Sequence, residues 1–346
     1  MQQLEKICFA IAAVAVFVAL YFGRTVLAPV ACALFIIALA WPAQRGLQHY
    51  LPKLVALAIV ILATVVVFVA FGWVLAWAAS RIGRWLVTDA SRLQDLFGQL
   101  TAWLEDHGIA VVGLWAEHFN MRWVIGVVYG VTGRVNTTVG FWLVALLYVV
   151  LGLLEVDQVT RKLQAMPNQA AQLMLAGAAA TAAKFRRYML IRTFMSLATG
   201  ALVWAFASLV GLQFAAEWGV IAFALNYIPF IGPFVATMLP TVFAMAQFVS
   251  WQETVLVFVG LNIIQFAIGS YVEPRVSGNI LSISPFVVLF SVFLWTFLWG
   301  LFGAFIGVPI TIALLTFCAQ HPSSRWSAEL LGGPGAAVRL ERCSVA

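Results

Sequence analysis

The chain has 346 residues, 64% of them hydrophobic and 9% charged, with 19 Lys and Arg against 13 Asp and Glu and a formal net charge of +6. Globular proteins carry nearer 25% charged residues, and a soluble core cannot hide so large an apolar fraction, so the composition defines an integral membrane protein. The basic residues are scattered among loops, which suits cytoplasmic segments facing anionic lipid and excludes a nucleic-acid groove.

Lys6 followed by an apolar run over 7–22 resembles a signal peptide. Gly23-Arg24 then follows without a small-x-small cleavage site, and a second run begins at once, so the segment reads as a span. Runs 7–22 and 26–41 are short for a bilayer and must borrow flanking residues or tilt; a third covers 54–79. These make an N-terminal three-span bundle, residues 1–80. Residues 81–137 differ, with Arg81, Arg84, Asp89, Arg92 and Asp95 beside Leu93, Leu96, Phe97, Leu100 and Trp103 at helical spacing. This predicts an amphipathic extramembrane connector, with a weaker second helix near 115–123.

A transport-core candidate follows over 138–319, and then a polar tail over 320–346. A fourth span covers roughly 138–154, a basic segment holds Arg161, Lys162, Lys184, Arg186, Arg187 and Arg192, and a fifth span covers about 193–211. From Tyr188 to His321 the charges are Arg192, Glu217, Glu253, Glu273 and Arg275. Apolar runs cover 218–250, 254–272 and 285–319. The outer two reach about 50 Å as helices, too long for one crossing and too short for two. Each is a broken span or a re-entrant hairpin, with breakers near its middle: Pro229, Gly232 and Pro233 in one, Gly300, Gly303 and Gly307 in the other. The predicted fold is an all-α polytopic membrane protein of about eight transmembrane segments, two of them Pro/Gly-broken or re-entrant. With the N-terminus inside, 12 Lys and Arg fall in cytoplasmic segments and 6 outside, which favours both termini in the cytoplasm.

The stretch LNYIPFIGP, residues 225–233, carries the clearest local signal. An interior proline costs about 3 kcal/mol in a helix and a glycine about 1. Unwound backbone at membrane depth must be buried in protein or line a wet cavity, where freed carbonyls and helix ends bind a polar solute. Asn226, one turn before the break, supplies donors and an acceptor. A kinked helix with Asn226 bonded to a neighbour reads the same stretch equally well. Asn262 and Gln265 share a helical stripe that should face protein or water, as binding groups or as interhelical bonds. Glu273 and Arg275 form either an interfacial ion pair or a gating or coupling pair. Gly300, Gly303 and Gly307, beside Trp295 and Trp299, suit close helix packing.

Cys8, Cys32, Cys318 and Cys343 form no CxxC pair, so neither a disulfide framework nor a zinc site is indicated. No GxxxxGK, HExxH or GxSxG motif occurs, and His49, His107, His118 and His321 fall in loops. No cofactor is implied, and the chain reads as a non-enzyme.

LNYIPFIGP (225–233), VEPRVSGNILSISPFVV (272–288), GAFIGVPIT (303–311) and RYMLIRTFMSLATG (187–200) resemble signatures of the autoinducer-2 exporter (AI-2E) family over roughly residues 150–318. The first half agrees in layout. The sequence departs at LWTFLWGLFG (294–303), where members often carry a second Gly-Pro. The resemblance implies a homo-oligomeric secondary carrier of the bacterial inner membrane with broken helices. Its solute would be small and polar, such as autoinducer-2, moved with or against protons or sodium. Asn226, Pro229, Gly232, Pro233, Glu273, Pro274 and Arg275 are the carried-over positions. In this reading Asn226 and the Pro229–Pro233 backbone form one wall of a site and Asn262 with Gln265 the other, while Glu273 and Arg275 gate or couple it. A sodium or lithium/proton antiporter and a non-transporting membrane scaffold are the alternatives. Lipid is the surrounding partner in every case.

Overall fold

A computed structural model of the chain describes residues 2–88, 106, 135–248, 250–277, 283–320, 324, 326 and 330–331. Its extended elements are all helical: α1 (Gln2–Phe22), α2 (Arg24–Gln48), α3 (Lys53–Thr88), α4 (Val135–Ala165), α5 (Gln169–Val210), α6 (Ala215–Leu225), α7 (Ile231–Phe248), α8 (Trp251–Phe266), a π-helical turn (Ala267–Val272), α9 (Glu273–Ser277) and α10 (Pro285–Gln320). Seven described stretches are long and apolar enough to cross a membrane. The chain is an all-α polytopic membrane protein.

The helix ends depart from the apolar runs for simple reasons. Gly23 N–H donates to Ala19 O and Leu27 N–H to Gly23 O, each at 2.8 Å, so the helical ladder passes through the junction of α1 and α2. A ψ of 6° at Gly23 bends it, but one residue inside that ladder cannot reverse the chain. The two N-terminal runs therefore follow one another end to end. Helix α3 continues beyond its apolar run through Arg81 and Arg84, so the expected connector begins no earlier than residue 89. Its residues 89–105 and 107–134 lie outside the described residues, as does most of the tail beyond 320. Helix α5, with 42 residues, is about 63 Å long. A bilayer with its headgroups spans about 40–45 Å, so α5 carries Lys184, Arg186 and Arg187 on a part that extends beyond the hydrocarbon.

Both overlong runs are hairpins, which resolves the choice left by their length. In the first, Gln213 N–H donates to Gln247 Oε1 and Gln247 Nε2 to Gly211 O, each at 2.8 Å, tying the two open ends together. Trp218 meets Phe243 with ring centroids 5.4 Å apart. At the tip, a Cβ on Gly232 would lie 1.9 Å from Leu225 O, an approach open only to glycine. In the second, α10 reverses at Gly300 (φ 67°, ψ −151°), a conformation glycine alone adopts easily. Ser291 Oγ donates to Gly307 O at 2.8 Å and meets Thr311 Oγ1 at 2.6 Å, so the arms run antiparallel. A Cβ on Gly303 would lie 1.8 Å from Trp295 O. These glycines do serve close packing.

The chain divides into two compact units. One comprises Met1–Val66, Gly140–Ile191 and Ser277–Ala346. There Asp157 accepts from Trp41 Nε1 at 3.0 Å and pairs with Arg45 at 3.4 Å, while Arg45 stacks on Trp41. Lys53 Nζ donates to Leu154 O, Arg186 to Ala38 O and Lys184 to Thr316. The other comprises Val67–Val139 and Arg192–Val276. Its core gathers Ile82, Val203, Ala207, Trp218, Ala222, Phe243, Val257 and Leu261 from α3, α5, the first hairpin and α8. The candidate site lies in this second unit.

Candidate functional site

The site grows from one face of α5, where Arg192, Thr193, Ser196 and Thr199 recur at helical spacing. Two glycines set the opposing register. A Cβ on Gly200 would lie 2.8 Å from Gly219 O, and one on Gly219 would lie 2.8 Å from Gly200 O. Helices α5 and α6 therefore meet backbone to backbone, the contact small residues permit in membranes. From that crossing, α6 carries the hairpin tip back along α5 until its polar residues face those of α5.

At the tip, Asn226 Nδ2 donates to Ser196 Oγ at 3.3 Å and Tyr227 Oη to Thr193 Oγ1 at 2.9 Å. Asn226 and Ser196 are buried. Ile231 N–H donates to Pro229 O and Gly232 N–H to Ile228 O, closing the turn. Pro233 is the third residue of α7, where its missing N–H removes no helical bond. Phe230 holds a positive φ of 64°, a strained state for a bulky side chain. Such strain persists only where the surroundings dictate it.

The charged pair differs from the expected one. Arg192 Nη1 meets Glu273 Oε1 at 2.7 Å, with Arg192 6% exposed and Glu273 24%. Arg192 Nε is buried without a partner among the described residues. Glu273 and Arg275 stand two apart on a helix, an interval that points side chains away from one another. Arg275 instead stacks on the Tyr271 ring, 3.8 Å from its centroid, and donates to its hydroxyl at 2.7 Å. Arg192 is therefore a buried partner of Glu273 and drops out of the cytoplasmic charge count.

Asn262 and Gln265 stand apart from this cluster. Asn262 is exposed, and its Nδ2 donates to Phe258 O of its own helix at 2.7 Å. The π-helical turn explains why Glu273 does not share their face. Eleven residues of regular α-helix make about three turns, which would align Glu273 with Asn262. The wider π turn between them under-rotates the chain by roughly a quarter turn. A second ion pair, Arg81 Nη1 to Glu217 Oε1 at 2.6 Å, joins α3 to α6, with Glu217 3% exposed.

Sequence reasoning found Asn226 and the breakers, and missed Arg192, Thr193, Ser196, Tyr227 and the Arg81–Glu217 pair. The available signal was the set of lone charges in the apolar half: two acids there, Glu217 and Glu273, each find an arginine.

Seven described stretches long and apolar enough to cross a membrane, with polar side chains buried at the tip of a hairpin, define the chain as a multi-pass membrane protein. Comparison narrows the class. Residues 10–322 match the family described as AI-2E family transporter, and the chain belongs to that family. It is 28% identical to the AI-2 transport protein TqsA of Escherichia coli (strain K12) over 312 residues, 90% of each chain. It is 34% identical to YhhT of the same strain, a protein named provisionally for transport, over 169 residues, 49% of this chain and 48% of that one. A similarly named protein of Borreliella burgdorferi is 37% identical over 127 residues, 36% of this chain and 35% of that one.

Proposed function

We propose that the chain is a secondary transporter of the bacterial inner membrane that exports a small polar organic solute such as autoinducer-2. The observation that carries this reading is the buried polar cluster at the first hairpin tip: Asn226 on Ser196, Tyr227 on Thr193 and Arg192 on Glu273. Hydroxyls and an amide offer donors and acceptors in close quarters, suited to a hydroxylated solute. The name and 90% coverage of the TqsA relative support the same solute. Asn226, the turn from Pro229 through Gly232 to Pro233, and the α5 hydroxyls line the site, and Arg192 with Glu273 closes it. Opening exposes the unpartnered Nε of Arg192 to solute. The chain works as a homo-oligomer with no cofactor, and the excess of Lys and Arg in residues 45–53 and 155–187 and in the tail favours cytoplasmic placement of these segments and of the C-terminus. Because α1 and α2 run end to end, the N-terminus lies at the far end of that stretch from residues 45–53, and the expected cytoplasmic N-terminus is not carried over.

The test is flux of labelled autoinducer-2 from proteoliposomes holding purified protein, with and without a proton or sodium gradient. Asn226→Leu and Ser196→Ala should each abolish flux while the protein stays folded. Full flux through both variants would sink the assignment of the site. One observation favours a second reading, a sodium or lithium/proton antiporter: the partly exposed Glu273 carboxylate is ion-paired with Arg192, and a carboxylate so placed can hold a solvated cation in that partner's stead. Gradient-driven cation exchange without solute flux, lost in Glu273→Gln, would establish it. Silence in both assays would leave a membrane scaffold.

A further inference from the structure

Helix α8 packs into its unit by one side only. Val257 and Leu261 are buried in the core, whereas Val255, Phe258 and Phe266 on the opposite side are 46%, 38% and 71% exposed. Such a face normally meets lipid. This one carries Asn262 at its centre, the twelfth residue of the 26-residue span Trp251–Val276 and so near mid-membrane. The side-chain amide has two donor hydrogens and an acceptor oxygen. One donor is used within the helix, on Phe258 O. Gln265, one turn further along the same stripe and half-buried, makes no side-chain hydrogen bond among the described residues. Hydrocarbon offers neither amide a partner, and an unmet amide in lipid costs several kcal/mol. Water does not reach an apolar outer face at that depth. The remaining medium is protein. A Cβ added at Gly269, further along the stripe, would meet nothing within 4 Å, so the backbone there is open to close approach.

We infer that the outward face of α8, centred on Asn262 and Gln265, is where copies of this chain pack against one another in the membrane, joined by hydrogen bonds between their amides. A second copy is the fitting occupant because an amide is donor and acceptor at once. The same two residues complement themselves across a two-fold axis, and complement each other around a ring. This inference rests on the homo-oligomer reading above and locates its interface. It also gives Asn262 and Gln265 a role outside the solute site.

The test uses the full chain in liposomes. Single cysteines at 262 and 266, in a background free of native cysteines, should cross-link into dimers. A cysteine at Leu197, 56% exposed on α5, should not. Energy transfer between labelled copies, followed as lipid is added, should show Asn262→Leu weakening self-association about 3- to 20-fold, the range interhelical polar bonds give. Asn262→Gln, which keeps the amide, should not weaken it. A wild-type chain that is monomeric at every dilution would overturn the oligomer reading itself. An oligomer that survives Asn262→Leu undiminished and cross-links at 197 rather than 262 would overturn only the interface. Cross-linking of position 262 to residues 89–134 of the same chain, without dimers, would also overturn it by naming an internal partner.

Discussion

Glu273→Gln removes the counter-charge of Arg192 and leaves a cation with a 6% exposed side chain inside the bundle. Breaking a buried pair from one side costs about 3–5 kcal/mol, whereas replacing both partners by uncharged groups is often neutral. Glu273 is 24% exposed, so solvent already screens part of the attraction and the low end, about 3 kcal/mol, applies. Arg192→Met leaves that half-accessible carboxylate to water and costs about 1 kcal/mol. The double variant should return close to wild type, giving a coupling of about 4 kcal/mol. Reversible unfolding in mixed micelles measures all three, and solute flux is read on the same preparations. The double variant should be stable yet transport-deficient, because a scaffold has been restored without its gate. Single substitutions that add within about 0.5 kcal/mol would refute a buried pair. Normal flux in the double variant would refute its role in transport.

The two glycines of the second hairpin should differ. Gly300→Ala meets no neighbour but must hold φ 67° with ψ −151°, a region essentially confined to glycine, costing up to about 3 kcal/mol. Gly303→Ala drives a Cβ into Trp295 O and should be the more damaging, with loss of the Trp295–Trp299 contact reported by tryptophan emission. The reverse order would mean the arms do not meet there. Arg81→Ala strands the buried Glu217 carboxylate and should cost about 3 kcal/mol, against less than about 1 for Glu217→Gln, which leaves a 46% exposed arginine to water. Equal costs in denaturation would contradict the unequal burial. Asp157→Ala should cost about 1–2 kcal/mol and shift Trp41 emission; an unchanged spectrum would contradict the Trp41–Asp157 bond.

Apolar run length and breaker position were enough to read the helical spans and the middle of each overlong run. Whether those runs fold back was not legible, because length is compatible with either form. The deciding contacts join glycines to carbonyls in the facing arm, Gly232 to Leu225 and Gly303 to Trp295. Asn226 was legible because an amide beside a break is locally anomalous. Arg192 was not, because it reads as the last member of a basic run and its partner lies 81 residues away. The stripe of Asn262 and Gln265 followed from helical period, but period alone does not say which side of a helix packs. Glu273 misled further, since the π turn that re-aims it leaves no mark in residue type.

The ties between Gln247 and residues 211 and 213 hold both mouths of the first hairpin together. A segment that enters and leaves by one side contributes nothing to the parity of crossings. Reporter fusions made after Gln213 and after Phe248 should therefore light up in the same compartment, although hydropathy alone credits the stretch between them with a passage. A topology map drawn by counting apolar peaks inverts α8, and the second hairpin, counted the same way, reverses the error beyond it, so the sidedness of α8 must be counted from the first hairpin instead.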